Sequence, residues 1–167
     1  MDLREQQRGL LRLLKKRGTV TADDEYLLRV SRSDELGLAR EIAVWWRALG
    51  IERNCPQTSL LLKRLGRFEP TVESFYCEHS TSPYMEEMAR QFLLSLSSDS
   101  DPLLAALASF ELACTRLAAG EDGEFVINWD RDPNQVFQAL QSNGALPAPD
   151  GNHVVKLSRQ SDARPNS

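Results

Sequence analysis

Five prolines head short runs of periodic apolar sequence, and this grammar limits the fold more than any other feature of the chain. Pro56, Pro70, Pro83, Pro102 and Pro133 each sit at or near the first turn of a stretch whose apolar residues recur every three or four positions. Proline lacks the amide hydrogen that a first helical turn leaves unused, and its fixed φ suits that position, so each proline marks a helix start. Gly18, Gly50, Gly66 and Gly120 stand where the runs break off, as helix stops do. A chain punctuated this way folds as several short helices packed together.

The individual runs carry the same reading. Leu3, Leu10, Leu11 and Leu14 form a helical stripe ending before Gly18, and Thr21 or Asp23 caps a short helix reaching about Arg29. A loop follows at 31–33. From Asp34 to Leu49, after a Ser33 cap and before Gly50, the inward residues are Leu36, Ile42, Ala43, Leu49 and one of the adjacent Trp45 and Trp46. Helices then run from Pro56 to Leu65 and from Pro70 through Val72, Phe75 and Tyr76. Next, Ser82 caps a helix with Pro83 in its first turn and Met88, Phe92, Leu93 and Leu96 inward. Asp101 and Pro102 open a last long helix carrying Leu103, Leu104, Leu107, Ala108, Glu111, Leu112 and Leu117, with Cys114 also on its inner side.

After Gly120 the character changes. "FVINW" and "HVVKLSR" are β-branched and alternating, as half-buried strands are. Between them Asp132 and Pro133 start a helix ending near Leu140, and "PAPDGN" has the composition of a hairpin turn. The expected fold is mainly α: a helical domain over residues 1–119, a small α+β appendage over 120–160 with two strands and one helix, and a frayed tail at 161–167.

Composition narrows the function classes. With 167 residues, 41% of them hydrophobic, the chain is long enough to bury a core without disulfides. No apolar run approaches the ~20 residues that span a bilayer, and the amino-terminal segment lacks a signal-peptide core, so no membrane association is expected. Cys55, Cys77 and Cys114 are odd in number and widely spaced, which fits a reduced cytoplasmic protein. Residues 1–70 carry 14 basic and 10 acidic side chains, and residues 71–167 carry 6 and 14. Arg4, Arg8, Arg12 and Lys15 recur down the first helix as a basic stripe. A solvated face accounts for them, and the acidity of the whole chain argues against nucleic acid as the partner.

Catalytic signatures are sparse. His79 and His153 are the only histidines, and neither has metal-ligand spacing with another donor. Cys77 and His79, two apart, point to different faces of a helix. Cys55 precedes a helix start, where an exposed thiol would be acidified, but a small buried side chain reads the same. The acid pairs Glu86–Glu87 and Asp23–Asp24 suit solvated positions at helix starts. There is no phosphate loop, dinucleotide fingerprint or nucleophile elbow. No catalytic residue and no metal ligand is assigned.

The middle of the chain nevertheless resembles a known group. "CPQTSLLLKRLGRFEPTVESFYCEHSTSPYMEEMARQFLLSL" followed by "PLLAALASFELACTRL" is similar to the small helical proteins encoded beside multinuclear non-haem iron oxidative enzymes. That group includes the partner subunits of methanobactin and thiaglutamate biosynthesis and a larger set described as DNA-binding proteins. The resemblance rests on Pro56, Leu61 and Leu62, on Phe68, Val72 and Phe75, on the Ser82-Pro83-Tyr84 step, on Phe92, and on Glu111. It spans roughly residues 36–118.

The resemblance implies a non-catalytic subunit that forms a heterodimer with a barrel-type iron enzyme. It implies that the iron belongs to that enzyme and that this chain carries no cofactor. It also implies that the pair works on a cysteine of a ribosomally made precursor peptide whose leader the helical subunit holds. Strand pairing offers a physical route for holding a leader. The expected peptide-binding residues are Phe125, Val126, Ile127, Asn128 and Trp129 on one strand, and His153, Val154, Val155, Lys156 and Leu157 on the other. The expected enzyme interface comprises Trp45, Trp46, Pro83 and Tyr84. A helical DNA-binding or regulatory module is the alternative, and a free-standing cysteine enzyme comes third.

Overall fold

The computed structural model describes residues 2–16 and 25–159. Seven helices come first: α1 (Leu3–Leu14), α2 (Glu25–Ser31), α3 (Glu35–Asn54), α4 (Pro56–Arg64), α5 (Phe68–Glu78), α6 (Met85–Leu96) and α7 (Pro102–Ala118). Strand β1 (Glu124–Trp129), helix α8 (Pro133–Ser142) and strand β2 (His153–Ser158) complete the described chain. It is the mainly α architecture with a small carboxyl-terminal α+β part that the sequence predicts. The Gly18 stop, the Thr21 or Asp23 cap and the expected tail at 161–167 lie outside the described residues.

Local chemistry explains most boundaries. The Asp101 carboxylate accepts from the Leu103 and Leu104 amides at 3.0 and 3.4 Å, capping α7 with Pro102 at its first position. Asp132 does the same for α8 through the Asn134 amide at 2.9 Å. Gly66, at φ +65°, ends α4: its amide donates to Lys63 O at 3.0 Å and the Arg67 amide to Leu62 O at 2.8 Å.

Several expected details differ. Helix α3 runs through Gly50 to Asn54. A β-carbon at Gly50 would lie 3.1 Å from Met85 Sδ and 3.2 Å from Met88 Cε, so this glycine marks the close approach of α6 rather than a stop. Helix α5 begins at Phe68, leaving Pro70 third in the helix. Helix α6 begins at Met85, and Ser82 instead closes a turn by accepting from the Tyr84 amide at 3.2 Å. On α1 the buried residue is Leu13, with Leu10 and Leu14 packed beside it; Leu3 and Leu11 face water. Ile42 is exposed. Lys15, read as part of a basic stripe, is buried and donates to His79 O at 2.5 Å.

The main core joins α3 to α7 through Ile51, Leu61, Leu62, Phe92, Leu104 and Leu107, and Ile127, Trp129, Val136 and Leu140 belong to the same cluster. Trp129, 1% exposed, packs edge-on against Phe110 and Phe137 at centroid distances of 6.1 and 5.8 Å. The small sheet is therefore seated by aromatic packing on α7. Leu13, Leu27 and Leu36 form a second, smaller cluster that holds α1 and α2 to α3.

Two polar devices, one buried and one half-buried, tie distant segments together. Glu111 on α7 accepts from the Gln57 and Thr58 amides, both at 2.9 Å, and so caps α4 from another helix. The Arg64 guanidinium, at the other end of α4, donates to Ala139 O at 2.9 Å and to Gly144 O. These carbonyls lie at the carboxyl end of α8, where a cation is favoured.

Candidate functional site

The strands pair antiparallel, with Phe125 opposite Leu157, Val126 opposite Lys156, Ile127 opposite Val155, Asn128 opposite Val154 and Trp129 opposite His153. "PAPDGN" is not a hairpin turn, since α8 intervenes; it leads the chain back to β2, and the Asp150 and Gly151 amides donate to Asp130 O. Alternation divides the ten expected peptide-binding residues. Ile127 and Trp129 are buried, Phe125, His153, Val155 and Leu157 are half-buried on the same inner face, and Val126, Asn128, Val154 and Lys156 face water. Side chains such as Ile127 and Trp129 are committed to the core and have no surface to offer a ligand.

The backbone has an open edge instead. Among the described residues the sheet holds two strands, so β1 has one edge without a strand partner there. Beside β1 lies a groove of about 280 Å³, lined by the consecutive residues Glu124 to Ile127 and, from the helices, by Ser97, Ser109, Leu112, Ala113 and Arg116. Four consecutive strand residues along one wall mean that main chain as well as side chains borders the groove. Arg116 lies 4.8 Å from the Phe125 ring centroid and binds Glu121 at 2.6 Å, which fixes the groove's charged end. On the outer face Lys156 and Glu124 pair at 3.1 Å. Such an arrangement can accept an extended chain as a third strand, with small and apolar side chains of α7 beneath it.

The helical lining of this groove was not found from sequence. Ser109, Leu112 and Ala113 belong to an ordinary apolar helix pattern, and only the charge of Arg116 departs from it.

The four expected docking residues lie away from this groove, and all four are exposed. Neither indole is core: Trp45 is 57% and Trp46 49% exposed, stacked edge-on at 5.0 Å. The buried side of α3 holds Leu36, Gly50 and Ile51, with Arg47 lying 4.4 Å from the Tyr76 ring centroid, and that leaves both tryptophans outside. Leu38 and Ile42 extend the exposed stripe. Pro83 and the 76%-exposed Tyr84 lie in the turn just before α6.

Cys55 and Cys114 are poorly placed for nucleophilic work. Cys55 is fully buried, and burial, reinforced by the Glu111 carboxylate, pushes its thiol far above the ordinary range. Cys114 is exposed rather than core, because α4 begins opposite Glu111 and the next turn of α7 runs past it. Partial burial and then Glu111 hold its thiol up as well. Glu111 itself is raised, chiefly by burial, with the two amide hydrogen bonds opposing the shift. Among the described residues no three His, Cys, Asp or Glu side chains gather as metal ligands, and no helix is long and apolar enough to cross a membrane.

No protein-family model, curated protein or solved structure matches this chain.

Proposed function

We propose that this chain is the non-catalytic partner of a barrel-type multinuclear non-haem iron enzyme in the cytoplasm, and that it holds the leader of a ribosomally made precursor peptide whose cysteine is modified. The observation that carries this reading is the edge of β1, unpaired among the described residues, bordering the groove over Ser109, Leu112 and Ala113. Added beside β1, a leader gains main-chain hydrogen bonds from the edge, while alternate side chains enter the groove or lie beside Val126 and Asn128. The held-up thiols of Cys55 and Cys114 also suit a chain whose reactive cysteine is supplied by the substrate. Iron and oxidation then belong to the enzyme. Of the expected enzyme interface of Trp45, Trp46, Pro83 and Tyr84, this reading assigns the docking to the Pro83–Tyr84 corner.

The test is coexpression with the neighbouring gene products, one of them tagged, followed by size-exclusion chromatography, iron analysis and calorimetric titration with the synthetic precursor leader. A stoichiometric complex with iron in the larger protein, and leader binding that survives moderate salt, is the expected result. Ser109→Arg fills the groove from a half-buried position and should weaken leader binding at least ~10-fold without unfolding the chain. Leader binding unaffected by Ser109→Arg, or a chain that elutes iron-free and alone, refutes the reading.

A further inference from the structure

The outer face of α3 carries a pattern that neither the core nor the strand edge uses. Leu38, Ile42, Trp45 and Leu49 follow one another at intervals of four, three and four residues, the spacing of a coiled-coil seam. In a single chain this seam points outward: Leu38 is 59%, Ile42 48% and Trp45 57% exposed, and only Leu49 is half-buried. Helix α3 has 20 residues, about 30 Å, and the seam runs along its middle.

We propose that α3 pairs antiparallel with α3 of a second copy of this chain, about a two-fold axis passing between the levels of Ile42 and Trp45. That axis sets Leu38 opposite Leu49 of the second copy and Ile42 opposite its Trp45. Four apolar layers result from one self-complementary stripe, as an isologous contact requires.

Three further features fit this register. Trp46, on the flank of the seam, arrives beside Ala39 of the second copy, at the mouth of a groove of about 630 Å³ lined by Leu10, Tyr26, Val30, Leu36 and Ala39. A large exposed indole thus meets a small residue and an apolar hollow, in both directions. On the same flank Arg53 comes level with Glu35 of the second copy. Arg53 has no partner among the described residues, and the Glu35 carboxylate receives only the Ser33 hydroxyl at 3.3 Å. On the opposite flank Asp34 faces Glu52, whose charge Lys63 already offsets at 2.5 Å.

The area agrees with a modest dimer. The two indoles leave about 250 Å² in water, and Leu38, Ile42 and the flanking residues raise the patch to about 500 to 600 Å² per chain. Two such patches total about 1,000 to 1,200 Å², the lower end for a specific interface. The pairing uses none of the residues at the β1 edge and leaves it open.

Sedimentation velocity of the full chain from 1 to 200 µM is the deciding experiment. The expected result is a reversible shift from 18.8 kDa to twice that mass, with a thermal midpoint that rises with protein concentration. Trp45→Ala acts twice in a symmetric contact and should weaken the dimer at least ~100-fold, while helix content and the melting of the monomer stay unchanged. Arg53→Glu and Glu35→Arg should each weaken it several-fold, and the two together should restore it. In a background lacking the exposed Cys114, Leu38→Cys with Leu49→Cys should cross-link two chains on mild oxidation, whereas Leu38→Cys alone should not. A chain that stays monomeric at 200 µM overturns the proposal, as does association that continues past two copies or ignores Trp45→Ala. Burial of this face only in complex with an iron enzyme also overturns it, and leaves the leader-binding reading standing.

Discussion

Replacing Glu111 tests whether a carboxylate on α7 really completes the amino end of α4. Glu111→Ala leaves the Gln57 and Thr58 amides without their 2.9 Å acceptors. Thr58 is fully buried and Gln57 half-buried, so the orphaned donors cost about 2 and about 1 kcal/mol. Lost packing of the side-chain methylenes adds about 1 kcal/mol. Relief of burying a carboxylate takes part of this back, leaving about 3 kcal/mol, or a melting point lower by ~6 to 12 °C. Glu111→Gln keeps one acceptor and should cost only about 1 kcal/mol at neutral pH.

The pH dependence gives the reasoning a second handle. Burial holds the folded-state pKa of Glu111 above its unfolded value, so the folded chain takes up this proton first. The stability this confers is whole below the unfolded pKa and is lost as pH rises through the folded one. Wild type should therefore exceed Glu111→Gln by the widest margin in acid, with the gap narrowing toward neutral. Urea unfolding followed by circular dichroism at a series of pH values measures both effects. An alanine variant within ~0.5 kcal/mol of wild type refutes the capping role, and a gap that widens toward neutral pH refutes the dominance of burial over the two amide hydrogen bonds.

Other consequences are equally concrete. Native Cys55 should resist thiol reagents until the chain unfolds, whereas Cys114 should label in the folded state at a rate that climbs with alkalinity beyond the ordinary thiol range; time-resolved labelling with mass spectrometry separates them. Trp129→Ala should cost about 3 to 5 kcal/mol in denaturant unfolding, but Trp129→Phe far less, because the buried indole N–H has no hydrogen-bond partner among the described residues. Gly66→Ala should destabilise by about 1 kcal/mol through its left-handed φ alone, since a β-carbon there meets nothing within 4 Å; matched thermal melts would show it.

Several helix starts and stops were legible because their determinant is local. Asp101 with Pro102 and Gly66 with its positive φ act through neighbours in sequence, and the structure uses them as read. Gly50 looks the same in sequence but answers to Met85 and Met88, more than thirty residues away. The tryptophan pair failed for a related reason. Adjacency correctly denies two residues one stripe, but it does not require either to be core, and α3 buries small residues and Arg47 instead. The two strands were visible in their alternation, while the groove beside β1 was not. It exists only because Ser109, Leu112 and Ala113 of α7 come to lie under a strand that begins after the helix has ended.

The Arg64 clasp has a consequence for the order in which the molecule is completed. Its carbonyl partners stand 75 and 80 positions further along the chain. On a ribosome, α4 and α7 can assemble while Arg64 still reaches into water, and the clasp closes only once α8 and Gly144 have emerged. β2 emerges later still, so the β1–β2 pair is finished last, and a nascent chain has a helical body before it has any strand pair to offer.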